Sequence, residues 1–226
     1  MNSKSIALTF RGTERAVNQD FSTYCESDDG KEFWIIADGS TNAKDSGDFV
    51  ATFCSQLRDQ WLMAQAPVTE YDIQALVKHV HSQIQRDFIC SKGSFLLLVI
   101  EADTQHCFYL GDCRVGSIEN NEIIWQTYPH SLTYRKVGSD EERLRNDPAR
   151  HTLFNVLKGV RFSKPTYKAL QLDLNKPLVL ASDGFWSCHP VQLPQLLTKE
   201  TVNEYLKSLE FSDDCTVLVR MANQSN

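Results

Sequence analysis

Apolar residues along the chain keep two periods, and the switch between them divides it into segments. Residues 5–10 (Ser-Ile-Ala-Leu-Thr-Phe) read as a first strand, 11–20 as a polar loop, and 21–25 as a short second strand. Ser27-Asp28-Asp29-Gly30 is a turn signal before an almost wholly apolar third strand, 32–37, which should be buried on both faces. The period then becomes helical. Phe49, Val50, Phe53, Leu57, Trp61 and Leu62 fall three and four apart within a helix predicted over about 44–64. Pro67 separates it from a second helix over about 69–89, with Thr69 as N-cap and a stripe of Ile73, Leu76, Val77, Val80, Ile84 and Phe88. Two successive helices with a short link predict an antiparallel pair lying on a sheet.

From Ser94 the strand period returns, over 95–102, 107–110, 115–118 and 123–126, with hairpin turns at 103–105 and 119–122. About 128–150 is polar and charge-rich and reads as an irregular connection, a flap or a mobile loop. Strands are expected at 153–157, 167–172, 177–180 and 216–220. Short helices are expected at 191–197, where Pro194 is unfavourable unless it lies in the first turn, and at 201–209. This order lacks the regular alternation of a parallel sheet. It favours antiparallel sheets covered by helices.

Composition narrows the class. A chain of 226 residues supports one domain with a sizeable core. Its 42% hydrophobic and 23% charged content is that of a water-soluble globular protein. A formal charge of -6 argues against a general nucleic-acid or acidic-membrane surface. The seven cysteines are odd in number and lack a C-x-x-C pair, so they read as small buried thiols rather than disulfides or a zinc site. No apolar run approaches the ~20 residues of a bilayer span, and the first residues lack a signal-peptide core. A monomer in a reducing cytoplasm is the expectation.

Carboxylates then change the picture. Asp38, Asp112 and Asp183 each follow an apolar strand, and Asp213-Asp214 precedes one. Singly, an Asp-Gly pair such as Asp38-Gly39 or Asp183-Gly184 is a common turn, with the glycine allowing a sharp bend. Together the acids pose a question of convergence. Two unit charges ~4 Å apart cost roughly 4 kcal/mol at an effective dielectric of ~20, against a total domain stability of ~5–15 kcal/mol. Convergent acids therefore need cations, and an oxygen-only ligand set suits Mg²⁺ or Mn²⁺ rather than zinc.

These stretches also carry a resemblance. Arg15-Ala16-Val17-Asn18-Gln19-Asp20, Ala37-Asp38-Gly39, Gly93-Ser94, Gly111-Asp112-Cys113-Arg114, Ser182-Asp183-Gly184-Phe185-Trp186 and Asp213-Asp214-Cys215-Thr216 resemble, in order, the motifs of the PPM-type metal-dependent Ser/Thr protein phosphatases (protein phosphatase 2C). The chain looks like a compact, bacterial-like member. The resemblance implies an α+β fold: a central β-sandwich of two antiparallel sheets flanked by helices on both sides, in four layers α-β-β-α. It implies a single domain over 1–226.

The resemblance also implies roles. Asp38 would bridge two Mn²⁺ or Mg²⁺ ions, and the Gly39 carbonyl would bind one of them directly or through water. Asp183 and Asp213 would hold the first ion, and Asp20 would lie in the second ion's shell. Arg15 would bind the substrate phosphate. Asp112 would either help hold a third, weaker ion or simply cap its strand end; Asp214 would be supporting. The implied reaction is hydrolysis of phosphoserine or phosphothreonine in phosphoproteins by a two-metal-activated water, opposing a Ser/Thr kinase. Two alternatives share the fold: a weakly catalytic regulatory or binding module, and a phosphatase for small phosphorylated metabolites.

Two departures stand out. Ser40-Thr41-Asn42-Ala43-Lys44 replaces the glycine-rich, often histidine-bearing family segment, leaving the general acid open. The stretch from Asp112 to Asp183 is short for the family. Pro129-His130-Ser131 resembles the family's D-H-S segment, although by itself His130 reads as a loop histidine; His79 and His81 read as helix residues outside the chemistry. The geometric expectation is that Ala37, Leu180 and Val217 lie on neighbouring strands whose ends gather Asp38, Asp183 and Asp213.

Overall fold

In the computed structural model the described residues are 5–102, 104–188 and 199–222. The elements are β1 (Ser5–Phe10), β2 (Asp20–Glu26), β3 (Glu32–Gly39), α1 (Ser46–Met63), α2 (Glu70–Ile84), β4 (Lys92–Glu101), β5 (Thr104–Leu110), β6 (Arg114–Glu119) and β7 (Glu122–Trp125). There follow α3 (Leu132–Val137), α4 (Glu141–Asn146), a 3₁₀ turn (Pro148–His151), β8 (Leu157–Lys158), β9 (Thr166–Leu170), β10 (Leu178–Ala181), α5 (Asp183–Cys188), α6 (Lys199–Lys207) and β11 (Cys215–Arg220).

The strands form two antiparallel sheets. One runs β1-β11-β10-β6-β7; the other runs β2-β3-β4-β5-β9, with β8 pairing the start of β4. Strand alternation explains the layers. Phe33, Ile35 and Ala37 of β3, with Phe95, Leu97 and Val99 of β4, pack under α1 and α2 beside Phe49, Phe53, Trp61 and Val77. Trp34, Ile36, Leu96 and Leu98 point the other way and meet Leu178, Leu180 and Leu218 between the sheets. Val179, Ala181, Val217 and Val219 face outward, under Phe185 and Trp186 of α5 and Val202 and Leu206 of α6. The result is the α-β-β-α sandwich. Full burial of side chains of this size contributes about 1.5–3 kcal/mol each, and the two-faced burial of β3 and β4 is why both read as unbroken apolar runs.

Local chemistry fixes the boundaries. Thr69 caps α2 by accepting from the Asp72 N–H at 3.2 Å. Asn120 and Asn121 both take positive φ, 48° and 64°, in the two-residue hairpin between β6 and β7. α2 ends at Ile84, short of the expected 89, and the chain turns so that Phe88 reaches Phe49 at 5.5 Å. The region about 128–150 is not irregular: α3 and α4 are capped by Ser131 and Asp140, whose side chains accept from Tyr134 N and Arg143 N. The expected strand 153–157 shrinks to the two residues of β8. The helix expected at 191–197 lies outside the described residues. Asp183 opens α5 rather than a turn, a six-residue helix that the apolar pattern did not signal. Gly184 is required for closeness, since a Cβ there would lie 2.1 Å from the Asp214 carbonyl oxygen. All seven cysteines are free, and Cys90 and Cys188 are exposed rather than buried. No helix among the described residues is long and apolar enough to cross a membrane.

Candidate active site

The acids gather at one end of the sandwich, and the registers say why. Asp20, Asp38 and Ser94 are opposite one another across β2, β3 and β4. In the facing sheet, Ala181 is opposite both Val217 and Arg114. Asp183 lies two residues beyond Ala181, Asp112 two before Arg114, and Asp213 two before Cys215. The expectation of three neighbouring strands needs correction. Leu180 and Val217 are on neighbours, β10 and β11, but Ala37 belongs to the opposite sheet. The carboxylates meet across the mouth of the sandwich, not along one sheet edge.

Between them opens a pocket of about 550 Å³ lined by Arg15, Asp38, Asp112, Asp183 and Asp213 among others. Asp20, opposite Asp38 in the β2–β3 ladder, and Gly39, next to Asp38, are outside this lining. Asp20 accepts from Ser182 Oγ at 2.7 Å, while its Oδ1 is buried without a hydrogen-bond partner. Ser182 Oγ in turn receives the Thr216 N–H at 2.9 Å, tying Asp20 to β11. The Gly39 N–H donates to the Gln19 carbonyl at 3.0 Å, and a Cβ on Gly39 would come within 2.6 Å of the Ser46 carbonyl carbon.

Supporting bonds hold Asp112, Asp213 and Asp214. Asp112 accepts from Ser94 Oγ at 2.6 Å, and its carbonyl accepts from Trp186 Nε1 at 2.8 Å. Gly111, at φ 90°, makes the turn that aims it. The Gly111 N–H donates to His130 Nδ1 at 3.2 Å, and the His130 ring stacks on Tyr109 at 4.8 Å. Burial pushes the His130 pKa down to about 4, so this ring is a neutral brace. Asp214 accepts from the N–H groups of Gly12 and Gln19 at 2.9 and 2.8 Å, pinning both ends of the Arg15 loop to β11. Arg15 Nε donates to Asp213 Oδ1 at 2.7 Å.

Two residues in the site carried no sequence signal. His151 Nδ1 is 3.3 Å, and an Arg150 guanidinium nitrogen 3.5 Å, from Asp183 Oδ2. Both come from the 3₁₀ turn, delivered by α3 and α4. Only the Pro148 that opens that turn hinted at a rigid bend there. His151, Asp183 and Asp213 each offer a ligand atom within 4.8 Å of the others.

The electrostatics match a cation site. Burial, then the charges of Asp20, Asp183, Asp112 and Asp213, push Asp38 well above the usual carboxylate range. Burial, then Asp183 and Asp214, push Asp20 up to about 8 against the hydrogen bond from Ser182. Asp112 rises to about 7 through burial and Asp183. An unpartnered buried oxygen and mutually repelling carboxylates fit hard divalent cations with oxygen ligands.

The sequence matches no family model and no curated protein. Solved structures do match. The PPM Ser-Thr phosphatase of Mycobacterium smegmatis, in complex with cacodylate, superposes with a TM-score of 0.81 at 17% identity, covering 97% of this chain and 98% of that one. The S. agalactiae serine/threonine phosphatase gives 0.78 at 19% identity, over 97% and 99%. The Staphylococcus aureus serine/threonine phosphatase gives 0.78 at 15%, over 97% and 95%. The chain has the fold of the PPM-type Ser/Thr phosphatases.

Proposed function

We propose that the protein is a metal-dependent phosphatase hydrolysing phosphoserine and phosphothreonine in phosphoproteins. One observation carries the reading: Asp38, Asp112, Asp183 and Asp213 converge with Arg15 on a single pocket in a fold shared with Ser/Thr phosphatases. The residues that would hold two Mn²⁺ or Mg²⁺ ions are Asp38 with the Gly39 carbonyl, Asp183 and Asp213, with Asp20 behind them and Asp112 toward a third ion. Bound there, the ions would supply Lewis acidity toward the phosphoryl oxygens and lower the pKa of water.

The chain's own groups do the rest. Arg15, held by Asp213 through Nε, keeps its remaining guanidinium donors for phosphate oxygens, where they oppose the charge that grows during attack. Asp214 fixes the loop that carries Arg15. Ser182 orients Asp20, and Ser94 orients Asp112. Arg150, and His151 from the pocket wall, set cationic partners against Asp183. The proposed context is a monomeric, single-domain cytoplasmic enzyme, with 128–150 as a flap beside the site, acting on the product of a Ser/Thr kinase.

Hydrolysis of p-nitrophenyl phosphate and of phosphoserine and phosphothreonine peptides, each with Mn²⁺, Mg²⁺ or EDTA, tests this. Turnover of all three with a divalent ion and none with EDTA is expected. Turnover that survives EDTA sinks the metal requirement, and absence of turnover with every ion turns the reading to a binding module. Cleavage of the small ester alone turns it to metabolites.

A further inference from the structure

The pocket has a second, cationic end that the phosphatase reading does not use. Lys92 opens β4 and Lys158 closes β8, and the two are direct partners across that antiparallel pair. Like charges placed opposite one another in an antiparallel ladder are destabilising. Neither ammonium has a carboxylate partner among the described residues, although other surface lysines do: Lys31 with Asp29 at 2.7 Å, and Lys176 with Glu119 at 3.4 Å. Both lysines are exposed, and both line the same pocket as Asp38 and Asp183.

This juxtaposition is built rather than incidental. His81, itself buried, bonds the Lys158 carbonyl through Nε2 at 2.7 Å. The Gly159 N–H donates to the Ser91 carbonyl at 2.9 Å. The backbone at Gly159 lies so close to α2's outgoing turn that a Cβ would fall 1.7 Å from the Phe88 carbonyl oxygen. Leu157, fully buried, anchors the strand from below. On the other side, the Ser40 N–H donates to the Lys92 carbonyl at 2.9 Å. Two lysines are therefore held side by side on a fixed backbone. Lys92 is two residues along β4 from Ser94, the residue opposite Asp38, or about 7 Å at the strand rise. Leu153, Phe154 and Val156 supply an apolar wall in the same pocket.

We propose that Lys92 and Lys158 form a second anion subsite, which selects phosphopeptides carrying another negative group beside the phosphoresidue being cleaved. This rests on the phosphatase reading and names its substrate class. An acidic side chain and a second phosphate share the required chemistry. The subsite repels neither, whereas the acid end rejects any anion not neutralised by a cation.

The test compares three peptides identical except for the residue flanking the phosphoserine: alanine, glutamate or a second phosphoserine. kcat/KM with Mn²⁺ should favour at least one anionic peptide over the alanine peptide by roughly three- to tenfold, the size of two exposed ion pairs. The preference should shrink as salt rises. In Lys92→Ala/Lys158→Ala the ratio should fall to about one, and in Lys92→Glu/Lys158→Glu it should invert. The larger of the two anionic preferences identifies the source. Anisotropy binding of the same labelled peptides to Asp38→Ala protein gives the ranking without turnover. Absence of turnover on every substrate, with the binding ranking intact, overturns the phosphatase reading and keeps the subsite. Equal values for the three peptides, or a preference unchanged in the alanine double variant, overturns the subsite.

Discussion

The two halves of the pocket are built differently. The anionic half grows out of strand ends: Asp38 is the next-to-last residue of β3, and Asp183, Asp112 and Asp213 lie within two residues of β10, β6 and β11. Backbone ladders place these acids, and short local bonds brace the cluster: Ser94 orients Asp112, Ser182 orients Asp20, and the loop N–H groups hold Asp214. The second half, Arg150 and His151 at Asp183 rather than the Lys92–Lys158 end, arrives through the connection carrying α3, α4 and the 3₁₀ turn. That connection is tied to the sheets by side chains. Arg114, wholly buried, gives Glu141 two hydrogen bonds of 2.8 Å and lies over Trp125 and Trp186 at 4.8 and 5.2 Å. Damage to the first half should therefore remove chemistry and leave the fold, and damage to the second should loosen placement and leave chemistry.

The largest effect tests the first half. Asp183→Asn and Asp38→Asn should each lower kcat/KM by more than ~100-fold, since even groups that only orient metal ligands are worth ~10–100-fold. Neither should unfold the metal-free protein: Asp38→Asn removes a charge that its neighbours repel, and Asp183→Asn keeps a side-chain oxygen that can accept from Arg150 and His151. Calorimetric Mn²⁺ titration should show weakened binding in both. Wild-type activity or Mn²⁺ affinity in either variant would detach the acids from the chemistry.

Glu141→Ala tests the second half. It leaves a buried guanidinium without its bidentate partner. With Glu141 itself one-third exposed, a loss of about 1–3 kcal/mol is expected. At roughly 2–4 °C per kcal/mol for a chain of this size, the melting temperature should fall by several degrees. KM for phosphopeptides should rise more than kcat falls, and Mn²⁺ affinity should hold. An equal collapse of Mn²⁺ affinity would mean the two halves are not separable.

A smaller shift should appear in pH dependence. Asp20 and Asp112 have folded pKa values of about 8 and about 7, and Asp38 is also raised. Below about pH 4 these groups are protonated in both states and contribute nothing. As pH rises toward about 8, the unfolded chain ionises first, binds fewer protons, and gains relative to the fold. EDTA-treated protein should therefore lose stability across this window, and saturating Mn²⁺ should flatten the loss. Asp20→Asn should raise the metal-free melting temperature at about pH 8 by a few degrees, with little change near pH 4. A metal-free stability that increases with pH over the window would reverse the sign.

The same contrast explains what the sequence made legible. Strand alternation in β3, β4 and β11 and the acids at their ends follow from local pattern, so the sandwich and the positions of Asp38, Asp183 and Asp213 could be read. Which sheet each strand joins is a long-range pairing, and Ala37 was placed beside Leu180 instead of opposite it. α5 was missed because six residues give no period, and Gly184 looked like a turn residue when its role is to admit the Asp214 backbone. Arg150 and His151 reach Asp183 through the Arg114–Glu141 pair, a contact between residues 27 apart that no local pattern carries.

His151 offers the finest probe of the comparison. Its hydrogen bond with Asp183 raises its pKa above the ordinary histidine value, against the opposing effects of burial and Arg150. The contribution to stability is then fully present below about pH 6.5, the unfolded value, and is lost as pH rises through the folded one. Half of the side chain is exposed, so about 0.5 kcal/mol or less is expected, as for surface ion pairs. His151→Ala in EDTA should lower the melting temperature by a degree or two near pH 5.5 and leave it unchanged near pH 9. With Mn²⁺ at Asp183 the imidazolium meets a cation instead of a bare carboxylate, and the low-pH difference should vanish. A difference that persists with Mn²⁺ would place His151 in the packing of the connection, and one that grows with pH would make the neutral ring a ligand.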